Sequence, residues 1–326
     1  MSGYILRRTL WAFFVVVAVF ALVFVLVFVQ GDPAVTTLGP RATPDQIADF
    51  EERQGLDQPL WKQFGSSLGV LPCARPASPN SDGYCGLLQG DLGESFRSGE
   101  SVSAIVAQRL PRTLLLGAMA LLIQLLIGLS FGIFAALKRN TAADTAVMSL
   151  AFFGISLPTY VTGPIFLWSL AFLCGWFPVG GYGVDTLDHI YHAVLPSITL
   201  AIVGAATYAR IMRSEMIDTL RADYLRTARA KGLSRRRIVL HHAARNALLP
   251  IVTMVGLSMV VLVSGAIITE TIFAWPGMGN LAIRAVLTED APIILGVVLI
   301  FAATVQLGNL LADIAVAALD PRVRLE

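Results

Sequence analysis

Basic side chains crowd one stretch of this chain. Arg210, Arg213, Arg221, Arg226, Arg229, Lys231, Arg235, Arg236, Arg237 and Arg245 are ten of its 24 lysines and arginines, and they fall between two strongly apolar segments. The chemistry open to such a set is charge-assisted hydrogen bonding to carboxylates or phosphates. Its core reads Asp223-Tyr224-Leu225-Arg226-Thr227-Ala228-Arg229-Ala230-Lys231-Gly232-Leu233-Ser234-Arg235-Arg236-Arg237. Two short helices with a break fit this pattern. Leu225, Ala228 and Gly232 share one helical stripe, and Arg226, Arg229 and Lys231 fall elsewhere. Gly232 suits the position after a helix end, where φ is positive. Ser234 suits the N-cap of a second helix from Arg235 to Leu249. Helix, glycine, one residue, serine, helix makes a protruding elbow, with small residues at its tip and cations on its flanks. Two occupants stand open on residues alone: a soluble partner with carboxylates, or anionic lipid, which favours each Lys or Arg by about 1 kcal/mol. Lipid accounts for the charges but not for Ala228, Ala230 and the break.

Bond-making chemistry finds little support. The chain has no G-x-x-x-x-G-K-[ST], no H-E-x-x-H and no G-x-S-x-G, so it lacks the usual phosphate cradle, zinc pair and nucleophile elbow. His189, His192, His241 and His242 fall near membrane edges or in loops and read as loop residues. Of three cysteines, Cys174 stands alone, and Cys73 and Cys85 bracket a loop rich in Pro, Ser, Asn and Gly. In an oxidising compartment that pair is expected as a disulfide, worth about 3 kcal/mol in the chain-entropy model. Two free thiols are the alternative. None has CxxC spacing.

The elements that must position the elbow are membrane helices. The 326 residues are 56% hydrophobic and 14% charged, with mean hydropathy +0.70. A soluble domain carries roughly 25% charged residues. Runs of about 20 apolar residues cross a bilayer, and six are present: Leu10–Val29, Thr113–Leu137, Thr145–Cys174, about Ala193–Ala209, Leu248–Ile272 and Ile293–Leu319. The third holds Pro158 and Pro164, which either bend spans around a cavity or mark span ends, as does Pro196 in the fourth. Continuous runs of this length predict an all-α integral membrane protein and exclude barrel strands. The first run is too long for a signal-peptide core and lacks a cleavage site immediately after it, so a retained span is expected. A net charge of +2 gives no pull toward nucleic acid.

Lys and Arg near the spans set the orientation. Arg7 and Arg8, Lys138 and Arg139, the ten-charge loop, and Arg322 and Arg324 fall on one side of a six-span chain. Both termini are therefore expected in the cytoplasm. The chain divides into residues 1–30 with the first span, an extracytoplasmic loop domain at 31–112, and a five-helix core at 113–326 with a cytoplasmic loop at 212–245. In the outer domain, Thr43 and Gln46 predict a capping box, with Pro44 at the first helical position and Gly55 as the stop. A second short helix is predicted over Pro59–Leu68.

Polar residues within spans are costly and mark pathways or partner contacts. Gln124, Pro158, Glu270, Phe273 and Asn309 are the candidates for a pathway or gate. Gln306 and Asp313 also lie in the sixth span. For Glu270 and Asp313 a solvated helix end is the competing expectation. Phe273 and Trp275 open an external apolar loop, which lines an outer gate, touches an external binding partner, or anchors at the membrane interface.

Residues 226–232 resemble the EAA loop of ATP-binding-cassette importer permeases, in the form used by the dipeptide, oligopeptide and nickel class. Ala228 and Gly232 match the consensus; Arg226 stands where Glu is usual and Thr227 replaces the first Ala. Leu249-Pro250 follows at the peptide-class distance. Gly31-Asp32-Pro33, Gly90-Asp91-Leu92-Gly93, Pro111-Arg112-Thr113, Glu270-x-x-Phe273-x-x-Pro276-Gly277-x-Gly279, Asp290-x-Pro292 and Asp320-Pro321-Arg322 extend the resemblance along nearly the whole chain. Residues 70–88 look like an insertion. The resemblance implies a type I permease fold in a bacterial inner membrane. It implies a second homologous permease, two ATP-hydrolysing subunits that bind ATP and Mg, and an extracytoplasmic substrate-binding protein. This chain itself would be non-catalytic, with no cofactor of its own, and Asp223–Ser234 would be its coupling helix. Di- and oligopeptides are the expected cargo, with nickel complexes or glutathione as alternatives. A gradient-driven carrier is the runner-up, although no inverted repeat or buried ionisable relay is evident.

Overall fold

The computed structural model describes residues 2–30, 33–73 and 84–319. Gly31, Asp32 and the terminal segment with Asp320-Pro321-Arg322 and Arg324 lie outside the described residues, as does the middle of the cysteine-bracketed loop.

Fourteen helices are described. They are α1 (Ser2–Gln30), α2 (Pro33–Leu38), α3 (Pro44–Gln54), α4 (Leu60–Leu68), α5 (Val102–Leu137), α6 (Ala142–Ser156), α7 (Thr159–Phe166), α8 (Thr186–Arg221), α9 (Asp223–Ala230), α10 (Arg235–Arg237), α11 (Ala244–Ala247), α12 (Leu249–Ile272), α13 (Met278–Thr288) and α14 (Ala291–Leu319). Among the described residues there is no strand, only isolated bridges at Pro72–Tyr84 and Glu94–Ser101.

Among the described residues, four helical stretches are long and apolar enough to cross a membrane: Leu6–Phe28, Val102–Leu137, Thr186–Arg221 and Ala291–Leu311. Two bent pairs bring the count to six when each is taken as one span. The first pair covers the expected third span and bends at Pro158. Ser156 ends α6, Leu157 is extended at φ −93° and ψ 112°, and Pro158 precedes α7. A residue before proline is driven out of the helical region, and the chain turns through 103°. Each limb of 15 residues, Ala142–Ser156 and Thr159–Leu173, is about 22 Å long, short of the roughly 30 Å hydrocarbon core. Pro164 and Pro196, by contrast, lie inside α7 and α8, and both helices continue past them.

The chain divides into two compact units. One contains residues 5–112 and 277–306. In it, Phe20 and Phe24 of α1 pack with Phe64 and Leu68 of α4 and with Leu295 and Leu299 of α14. The Thr43 hydroxyl accepts from the Gln46 amide, the Gln46 side chain accepts from the Thr43 amide, and Gly55 ends α3 at φ 70°. Cys73 and Cys85 are joined by a disulfide, with Cα atoms 5.8 Å apart. The stretch 94–101 is tied to residue 290: the Ser95 hydroxyl donates to Asp290 Oδ2 at 2.5 Å, and the Phe96 amide donates to Oδ1 at 3.3 Å.

The other unit contains residues 1–4, 113–276 and 307–326. Its main core joins Ala136 of α5, Tyr208, Met212 and Met216 of α8, Leu225 and Ala228 of α9, Ile238, Val239, Ala243, Ala244 and Ala247, and Ile251 of α12. Gly128 and Gly132 let α5 press on α8. A Cβ at Gly132 would lie 2.6 Å from Met212 Cβ and 2.7 Å from the Ala209 carbonyl; one at Gly128 would lie 2.6 Å from Tyr208 Cβ.

Candidate functional site

The elbow hangs from the end of α8 in this second unit. Ala222, extended at ψ 142°, turns the chain from α8 into α9. Leu225 is fully buried and Ala228 nearly so, both in the core that also holds Met212 and Met216 of α8. After Ala230 the chain caps as a Schellman motif. The Leu233 amide donates to the Ala228 carbonyl at 3.4 Å and the Gly232 amide to the Arg229 carbonyl at 2.9 Å, with Gly232 at φ 76°. Leu233 folds back onto the core that holds Ala228, the apolar contact this motif usually carries.

Tyr224, Arg226, Thr227, Arg229, Ala230, Lys231, Gly232 and Ser234 face outward, followed by Arg235, Arg236 and Arg237. Two expectations change. Gly232 does not share the packed stripe of Leu225 and Ala228 but sits at the exposed turn, with open space where a Cβ would be. Ala228 is an inward packing residue, so the small exposed groups are Thr227, Ala230, Gly232 and Ser234. Ser234 takes N-cap backbone angles without a side-chain cap bond. The helix after it is also irregular: a π-helical stretch, Ile238–Ala243, separates α10 from α11. That bulge keeps Ile238, Val239, Ala243, Ala244 and Ala247 buried while Arg235–Arg237 stay exposed.

A polar clasp closes the elbow. Asn246 Nδ2 donates to the Tyr224 hydroxyl at 2.6 Å, and that hydroxyl donates to the His242 carbonyl at 3.3 Å. Arg229 donates to the Leu220 carbonyl. Arg226, at the position of the consensus Glu, makes an exposed ion pair with Asp223 at 3.3 Å, a contact that adds little in water.

Before the elbow, a partly buried ion pair escaped the sequence reading. Arg213 of α8 donates from Nε and an η nitrogen to both carboxylate oxygens of Asp144 on α6, each at 2.6 Å. The Asn140 amide adds a third donor to Asp144 at 3.0 Å, with Asn140 itself at φ 62°. Arg213 had registered only as one of ten loop cations, and the partners stand 69 residues apart. The local signal was Thr141, whose side chain caps α6 with Asp144 in its first turn.

The five pathway candidates have separate surroundings. Gln124 is 3% exposed, and its Oε1 accepts no hydrogen bond among the described residues. Its amide lies where a Cβ on Gly204 would be, within 2.7 Å. Pro158 forms the α6–α7 break. Glu270 is wholly buried and accepts from the Thr113 hydroxyl at 2.6 Å, so it is not a solvated helix end. Asn309 is half-buried on α14. Phe273 and Trp275 are buried at 1% and 0% exposure, which removes them from both the lipid surface and an exposed docking face. The Phe273 carbonyl accepts from the Gly181 amide at 3.1 Å. Tyr182 packs edge-on to Trp275 and stacks on His189 at 3.8 Å. Among the described residues, no group of three His, Cys, Asp or Glu side chains could hold a metal.

These features define a class: an all-helical, multi-span membrane protein with a seated cationic elbow. Comparison with known proteins gives the family. Residues 128–325 match the inner membrane component of binding-protein-dependent transport systems, and residues 1–117 match the N-terminal region of such components. The chain belongs to this family and is an inner-membrane permease of the ATP-binding-cassette importer kind. It is 36% identical over 332 residues to the oligopeptide transport system permease protein AppB of Bacillus subtilis (strain 168), covering 99% of both chains. It is 38% identical over 334 residues to a putative peptide permease protein of Brucella ovis, covering 100% of both. The glutathione transport system permease protein GsiC of Salmonella typhimurium is 38% identical over 325 residues, covering 99% of both. Among solved structures, the inward-facing MetNI methionine ABC transporter aligns with 67% of this chain and 97% of its own at TM-score 0.52 and 16% identity. That likeness establishes the type I permease fold.

Proposed function

We propose that this chain forms half of the translocation pathway of an ATP-driven importer for di- and oligopeptides, and that residues 223–234 are where an ATP-hydrolysing partner grips it. The observation that carries the reading is the elbow's division of faces. Leu225, Ala228 and Leu233 seat it in the core shared with α8 and residues 238–247, while its cations and small residues stay exposed. An element that is rigidly seated yet outward-facing can receive force without dissolving into the membrane surface. A second homologous permease, two ATPase subunits holding ATP and Mg, and an extracytoplasmic delivery protein complete the assembly. The basic loop lies in the cytoplasm with both termini. Peptide cargo is supported by relatives whose names specify peptide and oligopeptide transport; glutathione is the second cargo supported, by the GsiC relatives.

The test is affinity purification of this chain from its own cell. An ATPase is expected to co-purify and to be lost when Arg229, Lys231 and Arg235 are changed together to Glu. Retention of the ATPase by that variant would remove the docking assignment. Calorimetry of the delivery protein with dipeptides, longer peptides and glutathione then decides cargo.

A further inference from the structure

The Asp144–Arg213 pair is built more tightly than a topological charge requires. Asp144 is only 4% exposed. It takes both donors of the guanidinium fork and the Asn140 backbone amide, the bidentate arrangement that fixes angle as well as distance. Its position in the chain matters. Arg213 lies two turns before the end of α8, which leads through Ala222 directly into the elbow. Around Arg213, α8 is already pressed onto α5 at Gly132, and its Met212 and Met216 share one core with Leu225 and Ala228 of the elbow. Farther along α6, Gly154 packs closely on α8 beside Ile202 and Ala206, and the ion pair adds a directional contact at the elbow end of the same helix. Together they hold α6 to α8 at both ends.

We propose that Asp144 and Arg213 are positioning residues for energy coupling: their ion pair makes α6, and the α6–α7 break at Pro158, move with the elbow when the ATPase pulls on it. The pair lies outside the elbow's docking face, so it does not grip the partner; it decides how much of the membrane domain follows. The inference rests on the docking reading above.

The test uses the intact complex in proteoliposomes, with ATP hydrolysis and uptake measured on the same vesicles. In Asp144→Asn, the ATPase is expected to remain bound and ATP to be hydrolysed, while uptake per ATP falls about tenfold, the size of a typical coupling between sites. Arg213→Lys keeps the charge but loses the fork, and its uptake per ATP is expected to lie between that of Asp144→Asn and the natural protein. A merely structural pair would change yield and thermal stability and leave uptake per ATP at the natural value; that result overturns the proposal. If Asp144→Asn does not assemble, Asp144→Glu, which keeps charge but shifts the carboxylate by one methylene, takes its place. Failure of all three variants to assemble likewise makes the pair structural and overturns the proposal. Absence of any ATPase from the natural complex would instead sink the docking reading, and this proposal with it.

Discussion

Gly232 holds φ at 76° with open space around it, so what a side chain there would cost is backbone strain, not collision. For a β-branched residue that strain is about 1–2 kcal/mol, enough to turn the elbow but not to unfold a membrane domain. Gly232→Val is therefore expected to insert and accumulate normally while losing uptake, and Gly232→Asn, which tolerates left-handed backbone, to retain most of it. Transport assays on the two variants at matched expression decide this; equal uptake in both would mean that the turn does not matter. The glycine was legible because its signal is local, as were the Thr43–Gln46 capping box and the Gly55 stop. The Asp144–Arg213 pair was not, because nothing in the spacing of two residues 69 positions apart says that they meet.

The contact between α5 and α8 depends on missing side chains. At Gly132 a Cβ would meet Met212 Cβ and the Ala209 carbonyl at 2.6 and 2.7 Å, and a backbone carbonyl cannot rotate away as a side-chain tip can. Gly132→Val is expected to force the helices apart at an overpacking cost of about 1–3 kcal/mol, read as a lower unfolding temperature in detergent. An unchanged transition would show that the helices separate freely. Helix existence was plain from hydropathy, yet shape was not. The run from 145 to 174 reads as one span by composition, and only the stereochemistry of Leu157-Pro158 turns it into two short limbs at 103°. Pro196 carries the same residue type inside α8 without ending it, so proline alone does not announce a break. The π-helical stretch at Ile238–Ala243 was likewise invisible, since it is the register demanded by burying Ile238, Val239 and Ala243 on one core.

For the molecule as a whole, the asymmetry of Lys and Arg gives a topology that thiol labelling can check. In a Cys174→Ala background, Asp45→Cys on α3 is expected to react with an impermeant reagent in intact cells, and Ser234→Cys only after the membrane is opened. The reverse pattern would invert the whole assignment. The family was legible from short motifs spread along the chain, because their order and spacing survive where single residues such as Arg226 and Thr227 depart. Burial of Glu270 and Phe273 was not, because a linear motif does not say which of its members point inward.

One dimension of α8 has a mechanical corollary. Its 36 residues form a rod of about 54 Å, so, held upright, it would leave some 24 Å clear of a hydrocarbon layer roughly 30 Å thick. A stiff rod pivoting about its midpoint by about 5° swings each tip by roughly 2 Å, in opposite directions. Such a pivot would make it a seesaw: a tug delivered at one membrane face would arrive as a shove at the other.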